Sequence, residues 1–526
     1  VNEKDPRYYL ELIIDGKQVR AMDVAIADDE IDYWVVTDLS KWMGREVKVR
    51  ARLRHTNDHD VLDRISIEDD IIDSEDLYGE ALRQQFHFSS KRGWINDPNG
   101  LVYYNNQFHL FYQHNPYGWD HSRNDYNKTW GHAVSENLVK WTELPAAIHP
   151  DRLGPIYSGS AVIDYYNTTE LQDGQHPPMI CVYTSAGGRS PWSIDKKFTQ
   201  SLSYSTDGGT TFNVFDGNPV LENLDYINRD PKVFWYEPNK EWVILLHFND
   251  RAMEFFTSKD LKKWTWQSEF ESEYLIDCPE LFQLPVDGDE KNKRWILYGG
   301  PGSYYIGQFD GKQFIPESDI IRYNYGNAFY ASQTFNNVPE SDGRRIQIAW
   351  GLTPTPGMPF NQSLLFPVEL SLRNTNEGIR MFAYPAEEID NIVVEEHEWE
   401  DIILNPRMNI FSDIDAELLD IYAEFTIDQN EEFGIGINGK IFRYNSETQI
   451  LSYDKEEIKF RPSGNILKMR FLVDRLTIEL FVNDGHLYIP IRAYPEGQKS
   501  DLTILTTNDV ISLKNLVVKE LKSVWN

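Results

Sequence analysis

The sequence predicts an all-β protein with a small N-terminal β domain (residues 1–80), a five-bladed β-propeller (residues 81–388) and a C-terminal β-sandwich (residues 389–526). Short segments of β-branched and aromatic residues, bounded by Asn, Asp, Gly or Pro, recur from end to end. Long helical periodicity is nearly absent, which argues against an alternating α/β fold. A polar turn sequence also repeats at intervals of about 50 to 70 residues, a spacing that suits propeller blades.

The two end regions are each predicted from strand-like runs beside an acidic stretch. Residues 8–14 and 47–53 have strand composition, and the acidic residues 67–76 that follow are interpreted as a linker. A second acidic stretch, residues 394–401, precedes alternating strands that continue to the end of the sequence. A β-sandwich of roughly 130 residues is expected there.

The central region is predicted to be a propeller because its turns repeat. Residues 135–141 and 258–264 share Ser, Asn or Asp, Leu, Lys and Trp at matching positions, and residues 205–212 and 309–314 are looser copies. Each copy has the composition of a polar hairpin turn followed by a core aromatic residue. A blade is a four-stranded sheet, so the region from about residue 85 to residue 385 has room for five of them.

Composition excludes several classes of partner. Lys plus Arg is 51 and Asp plus Glu is 83, so the formal net charge of −32 would repel a nucleic-acid backbone, and no nucleic-acid partner is expected. No apolar run approaches the roughly 20 residues of a membrane-spanning helix. Two cysteines give no disulfide framework. The chain opens on Val-Asn-Glu without a start Met, and we expect it to be a processed or trimmed product.

Three acidic turns locked by proline stand out as candidate catalytic residues. Asp97 precedes Pro in Trp94-Ile-Asn-Asp-Pro-Asn-Gly100, and Asp230 precedes Pro beside the cation of Arg229. Asp277 begins the third turn, Asp277-Cys-Pro-Glu280. A following proline keeps the backbone extended and removes a competing donor. If these turns converge on the propeller channel, they supply the paired carboxyl groups that glycoside hydrolysis requires.

At these residues the sequence resembles glycoside hydrolase family 32, the β-fructosidases that include invertases, inulinases and levanases. The first family signature differs here only by Ile95. Further matching segments are Phe111-Tyr-Gln-His-Asn-Pro116, Trp130-Gly-His-Ala-Val-Ser135, Tyr157-Ser-Gly-Ser160, Arg229-Asp-Pro231, Cys278-Pro279 and Phe329-Tyr-Ala-Ser-Gln-Thr-Phe335. The resemblance is strong over residues 87–370 and weaker through Ile478-Glu-Leu-Phe-Val-Asn-Asp-Gly485.

The resemblance implies retaining hydrolysis of β-fructofuranosyl linkages in fructans (levan or inulin) or sucrose, through a fructosyl-enzyme intermediate. It implies Asp97 as nucleophile, Asp230 as transition-state stabiliser with Arg229 beside it, and the acid of the Cys-Pro motif as acid/base. The fructose subsite would be lined by Asn96, Gln113 and Ser158, with Trp119 or Trp130 as its indole wall and Glu280 among the substrate-binding residues.

One departure from the family pattern concerns the acid/base. The family motif is of the Glu-Cys-Pro-Asp type, whereas this chain has Asp277 and Glu280 exchanged. Asp is one methylene shorter, and a misplacement of about 1 Å can cost on the order of 100-fold in rate. Either Asp277 serves from a shifted backbone, or Glu280 has taken part of the role, or activity is weak.

Alternatives to hydrolysis are a fructan-binding propeller with impaired acid/base catalysis and a fructosyltransferase. No metal or cofactor is expected, because the 12 His are scattered and acidic runs such as residues 287–290 are typical of solvated loops. The expected partner is a fructan or sucrose substrate, and the expected location is secreted, periplasmic or on the cell surface.

Overall fold

The computed structural model describes residues 1, 4–27, 30–53, 61–69, 71–72, 74–119, 125–224, 227–249, 251–405, 410–427, 432–494 and 501–525. Within these ranges the regular structure is almost entirely strand, which confirms the all-β prediction. Helix in the described residues is confined to short 3₁₀ segments, which are Ser40–Trp42, Val61–Arg64, Ser74–Asp76, Asp125–Asn127, Pro191–Ser193, Glu237–Asn239 and Glu387–Ile392. No helix in these ranges is long and apolar enough to cross a bilayer.

The N-terminal part is an antiparallel sheet in which β1 lies between its two neighbours. Its strands are β1 (Arg7–Ile14), β2 (Lys17–Ala25) and β3 (Val47–Leu53). The side chains of Tyr8, Leu10, Leu12 and Met22 form its core. Tyr117, which comes from the central region, packs into the same core.

In the described residues of the central region the strands form five blades that follow one another along the chain, as expected of a propeller, and the last two blades share one sheet. Blade 1 is β4 (Gly93–Tyr104), β5 (Gln107–Asn115), β6 (Thr129–Ser135) and β7 (Thr142–Ile148). Blade 2 is β8 (Ile156–Ile163), β9 (Met179–Ala186), β10 (Phe198–Ser205) and β11 (Asn213–Val214). Blade 3 is β12 (Arg229–Tyr236), β13 (Glu241–Asn249), β14 (Ala252–Ser258) and β15 (Thr265–Glu271).

The last two blades join through a single parallel contact between strands. Blade 4 is β16 (Glu280–Val286), β17 (Asp289–Gly299), β18 (Ser303–Phe309) and β19 (Phe314–Pro316), with β20 (Ile321–Arg322) beside β18. Blade 5 is β21 (Tyr330–Thr334), β22 (Arg345–Trp350), β24 (Val368–Thr375) and β25 (Gly378–Pro385). The short β23 (Phe360–Asn361) pairs in parallel with the start of β4, which ties the end of the propeller to its beginning.

The repeated turn sequence has a shared physical cause. Each copy connects the last two strands of a blade, between β6 and β7, β10 and β11, β14 and β15, and β18 and β19. In every copy one side-chain oxygen accepts hydrogen bonds from two successive backbone N–H groups, and the acceptors are Asn137, Asp207, Asp260 and Asp310. Such side-chain acceptors replace the hydrogen bonds that the backbone lacks in a tight turn.

The C-terminal region is a sandwich of two antiparallel sheets. One sheet has the order β26-β36-β27-β32-β33-β34 and the other β31-β30-β29-β28-β35. The strands are β26 (Val393–Leu404), β27 (Leu419–Thr426), β28 (Glu432–Ile437), β29 (Lys440–Asn445), β30 (Ile450–Tyr453), β31 (Glu456–Lys459), β32 (Ile466–Val473), β33 (Thr477–Val482), β34 (Leu487–Arg492), β35 (Leu502–Thr506) and β36 (Ile511–Leu521).

A buried charged cluster connects the sandwich to the chain segment that enters the propeller. The ring nitrogens of His87 lie 2.8 Å from Asp474 and 2.7 Å from Glu479. Burial by itself would lower the pKa of His87, but the hydrogen bonds and charges of the two acids outweigh it and raise the pKa to about 9. The imidazolium is therefore a structural cation that holds the two regions together.

Candidate active site

The innermost strands of all five blades bring their first residues to one end of the propeller. Asp97 lies near the start of β4, Ser158 near the start of β8, and Asp230 at the start of β12. Asp277 immediately precedes β16, and Tyr330 begins β21. Because the innermost strands of a propeller all run in the same direction around one axis, their N-terminal ends share one mouth. The candidate site is built from these five ends.

Each carboxylate oxygen of Asp97 accepts a hydrogen bond from a neighbouring polar side chain. The side-chain amide of Asn96 donates to Oδ1 at 2.9 Å, and the hydroxyl of Ser158 donates to Oδ2 at 2.6 Å. Gly100 allows the strand to pass tightly behind this group, since its φ is +53° and an added Cβ would lie 2.7 Å from the ring of Phe111. The carboxylate is therefore fixed in orientation before any ligand binds.

Asp230 is almost fully buried and has a left-handed backbone with φ of +60°. Its Oδ2 accepts a hydrogen bond from the backbone N–H of Cys278 at 3.2 Å and lies 3.5 Å from the guanidinium of Arg229. Burial, together with the charges of Asp277 and Asp97, raises the pKa of Asp230 to about 7 although Arg229 opposes the shift. Backbone strain and a displaced pKa at one residue are typical of functional sites.

Asp277 has donors on both carboxylate oxygens. The phenol of Tyr330 donates to Oδ1 at 2.8 Å, and Arg229 donates to Oδ2 at 3.2 Å. The backbone N–H of Asp277 donates to the ring of His247 at 3.1 Å, and both Asp277 and Cys278 have positive φ, +31° and +39°. Its side chain is 19% exposed, more than that of Asp230, so it faces the mouth.

The thiol of Cys278 lies between two of the carboxyl groups. Its Sγ is 3.7 Å from Oδ2 of Asp97 and 3.7 Å from Oδ2 of Asp230. Burial and the neighbouring acids, first Asp97, raise the pKa of the thiol well above its ordinary value. A neutral thiol that donates weakly to carboxylates is a poor nucleophile, so the chemistry at this end belongs to the three acids.

The structure places three of the predicted binding residues, Asn96, Ser158 and Arg229, beside these acids. Asn96 and Ser158 contact Asp97 directly, and the amide of Gln113 donates to the backbone oxygen of Ile156 at 3.0 Å on the neighbouring blade. Trp119 is partly exposed, and its indole N–H donates to the backbone oxygen of Thr355 at 3.3 Å.

Two predicted binding residues are not available to a ligand, which corrects the expectation for each. The indole of Trp130 is completely buried and donates to the backbone oxygen of Tyr157, because alternation along β6 turns this side chain into the core between blades. Glu280 is 1% exposed and forms an ion pair with buried Lys232 at 2.9 Å, while Thr334 donates to its other oxygen. The idea that Glu280 shares the acid/base role therefore has no geometric support.

Other residues at this mouth were not singled out by the sequence analysis. Tyr330 lies within a segment used for the family resemblance, yet nothing in its pattern marks the phenol as a partner of Asp277. Trp350 packs edge-on against both Tyr330 and Trp94, with ring centroids 6.3 and 5.9 Å apart. The ammonium of Lys128 donates to Asn96 at 2.8 Å, and no sequence signal pointed to it.

Comparisons with known proteins agree with this architecture. The profile described as glycosyl hydrolases family 32 N-terminal domain matches residues 87–385, and that described as glycosyl hydrolases family 32 C terminal matches residues 388–520. A levanase of Bacillus subtilis is 34% identical over 500 residues, which cover 85% of this chain and 72% of the levanase. An extracellular exo-inulinase of Aspergillus niger is 27% identical over 532 residues, 85% of this chain and 96% of the inulinase.

A solved structure shows the same fold. The β-fructofuranosidase of Schwanniomyces occidentalis, complexed with fructosyl-erythritol, superposes with a TM-score of 0.74 at 25% sequence identity. The match covers 84% of this chain and 98% of that one. Residues before 87 lie outside both family profiles.

Proposed function

Because the chain belongs to glycosyl hydrolase family 32, we propose that it is a retaining hydrolase of β-fructofuranosyl linkages in fructans or sucrose. The observation that carries this proposal is the meeting of Asp97, Asp230 and Asp277 around one thiol and one guanidinium. Retaining glycosidases need a fixed carboxylate nucleophile and a second carboxyl group that delivers a proton to the leaving oxygen.

In the first step Asp97 attacks the anomeric carbon of the fructosyl unit. The bond from its carboxylate oxygen to that carbon forms as the glycosidic bond breaks, and Asp277 transfers its proton to the departing oxygen. In the second step Asp277 removes a proton from water, the water oxygen bonds to the anomeric carbon, and Asp97 leaves. Asn96 and Ser158 keep the Asp97 carboxylate oriented through both steps.

Asp230 and Arg229 have supporting roles in this proposal. In its ionised form the Asp230 carboxylate stabilises the positive charge of a developing oxocarbenium ion, although burial raises its pKa to about 7. Arg229 lies between Asp230 and Asp277 and keeps both in place. We assign Asn96, Ser158 and the partly exposed Trp119 to the fructose subsite, with Trp119 as its aromatic wall.

The exchange of acids in the Cys-Pro motif is compensated, in our proposal, by the partners of Asp277. Its carboxyl group has less reach than that of Glu, but Tyr330 and Arg229 fix both of its oxygens. Because φ is positive at Asp277 and Cys278, the backbone there follows a different path from that of an extended strand. Asp277 therefore remains the acid/base, and Glu280 is structural.

The hydrolase interpretation is tested by product analysis. The purified chain is incubated with levan, inulin and sucrose, and released sugars are separated by chromatography. Free fructose is expected from at least one of the three, and an Asp97→Ala variant is expected to release none. Binding without release would favour a fructan-binding propeller, an alternative that relatives named as hydrolases do not favour. Since one relative is named extracellular, we also propose that the chain acts outside the cytoplasm.

A further inference from the structure

The N-terminal sheet lies outside the family profiles, and the buried side chain of Asn127 contributes to joining it to the propeller. The amide of Asn127 donates to the backbone oxygen of Asp23 at 2.7 Å and accepts from its backbone N–H at 2.8 Å. Asp23 belongs to β2, which is an edge strand of its sheet, so Asn127 occupies the place of a neighbouring strand. Asn127 is 1% exposed and Asp23 0%.

A second contact holds the other end of the same propeller segment. Tyr117 packs into the core of the N-terminal sheet, and its hydroxyl lies 2.8 Å from that of Thr37. The N-terminal region therefore contacts both ends of the segment between β5 and β6, one end at Tyr117 and the other at Asn127. This segment also carries Trp119, whose indole donates to the backbone oxygen of Thr355, and Lys128, whose ammonium donates to Asn96 beside Asp97.

Lys128 continues this connection to the proposed nucleophile. Its ammonium donates at 2.8 Å to Oδ1 of Asn96, which also accepts from the indole of Trp94 at 3.1 Å. With two donors on its oxygen, the Asn96 amide can only present its NH₂ group to Asp97. The backbone oxygen of Lys128 accepts from Ile156, which lies two residues before Ser158.

We infer that Lys128 is a positioning residue for Asp97 and that the N-terminal sheet, through Asn127, holds Lys128 in place. The N-terminal sheet is then a structural part of the fructose subsite. This inference rests on the proposed function, because it takes Asp97 as the nucleophile. It requires the rate of the chemical step, more than substrate affinity, to depend on Lys128.

The first test replaces Lys128 by a neutral side chain of similar length in the full chain. Lys128→Met is expected to lower kcat by at least about tenfold while KM changes by less than about threefold, because the Asn96 amide keeps only Trp94 as a donor and holds the carboxylate less firmly. Lys128→Arg, which keeps the charge and the donors, should retain more of kcat than Lys128→Met. The exposed Lys140→Met variant is the matched control and should equal wild type.

The second test asks whether the N-terminal sheet acts through Lys128. Asn127→Ala should lower kcat. The kcat of the double variant Asn127→Ala/Lys128→Met should lie within about twofold of the kcat of the slower single variant, because both substitutions act on one connection. The exposed Asn239→Ala variant is its control. If Asn127→Ala does not fold, Thr37→Val, which removes the partner of Tyr117, replaces it in the cycle.

The outcomes separate the inference from the proposed function. If wild type releases no fructose from levan, inulin or sucrose, the proposed function fails. If wild type is active and Lys128→Met keeps kcat within about twofold of wild type, the positioning role of Lys128 is wrong. The role is also wrong if Lys128→Arg loses as much kcat as Lys128→Met. If the losses at Asn127 and Lys128 multiply in the double variant, the N-terminal sheet does not act through Lys128.

Discussion

Replacing Asp230 by Asn is expected to abolish activity and stabilise the fold at the same time. The two side chains have the same shape, so Asn keeps the volume and an acceptor for the backbone N–H of Cys278. What it removes is a carboxyl group whose pKa is raised to about 7, chiefly because the group is buried and secondarily because Asp277 and Asp97 lie near it. In the folded chain the ionised form of this group is unfavourable.

The shift in the pKa of Asp230 sets an upper limit on how much Asp230→Asn can stabilise the fold. The pKa of Asp230 moves from 3.8 to about 7, and each pKa unit corresponds to ~1.4 kcal/mol, so ionisation of the folded state costs at most about 4 kcal/mol. Arg229 loses one of its two acidic partners in the variant, which offsets part of the gain. We expect a net gain of about 1–3 kcal/mol at pH 8.

The sign of the pH dependence follows from linkage. A raised carboxyl pKa means that the folded state holds a proton that the unfolded state has released, so the destabilisation is absent below the unfolded pKa of 3.8 and complete above about 7. The difference in unfolding free energy between Asp230→Asn and wild type should therefore grow from pH 4 to pH 7 and then level off. Its magnitude is checked by urea unfolding at pH 4.5, 6 and 8.

A matched measurement of fructose release decides the functional half of this prediction. Asp230→Asn should lose at least about 100-fold in kcat while gaining stability. A variant that is less stable than wild type at pH 8, or equally more stable at every pH, would refute the reasoning, because either result means that Asp230 is not a buried proton-holding group. An active and stabilised variant would refute only its catalytic role.

Four further outcomes are expected. Asp97→Ala should lose at least about 1,000-fold in kcat for fructose release with an unchanged circular dichroism spectrum, and residual turnover above a tenth would contradict its role. Asp277→Ala should hydrolyse an aryl fructoside far better than sucrose, because a phenolate leaves without a proton, and azide should restore turnover; equal losses on both substrates would contradict an acid/base role. Glu280→Gln should show no such rescue but should destabilise the fold by about 3–5 kcal/mol in urea unfolding, since it breaks the buried pair with Lys232. For His87, whose pKa is raised to about 9, stability present below pH 6.5 should be lost as the pH rises through 9, and Tm values of His87→Asn should vary less over this window.

Much of the fold could be predicted because its causes are local. Each repeated turn needs an acceptor side chain at one position, and Asn137, Asp207, Asp260 and Asp310 satisfy that need within a few residues of themselves. The three proline-locked acids are marked in the same way, by neighbours in sequence. Family 32 membership was readable from those neighbours too, and the family profiles confirm it.

Whether a predicted binding residue is accessible to a ligand depends on the direction of its side chain in the assembled propeller. This applies to Trp119, Trp130 and Glu280. Trp130 lies on a strand whose alternation places its indole between two blades, while Trp119 lies after β5 on a connecting segment and stays partly exposed. Glu280 follows Asp277 by three residues, yet it pairs with Lys232 inside the propeller. A sequence pattern of acids and aromatics cannot separate these cases, because their partners are distant in the chain.

The strands, the turns and the acids that carry the proposed chemistry could be predicted from the amino-acid order, since all of these follow from residues a few positions apart. Three properties depend on the folded chain: which acid has a raised pKa, which acid is neutralised by a buried lysine, and how Lys128 reaches Asn96. Those properties arise from burial and from charges brought together across blades. The connection of the N-terminal sheet to the subsite is of the same kind, because Asp23 and Asn127 are 104 positions apart and meet only when both regions are folded.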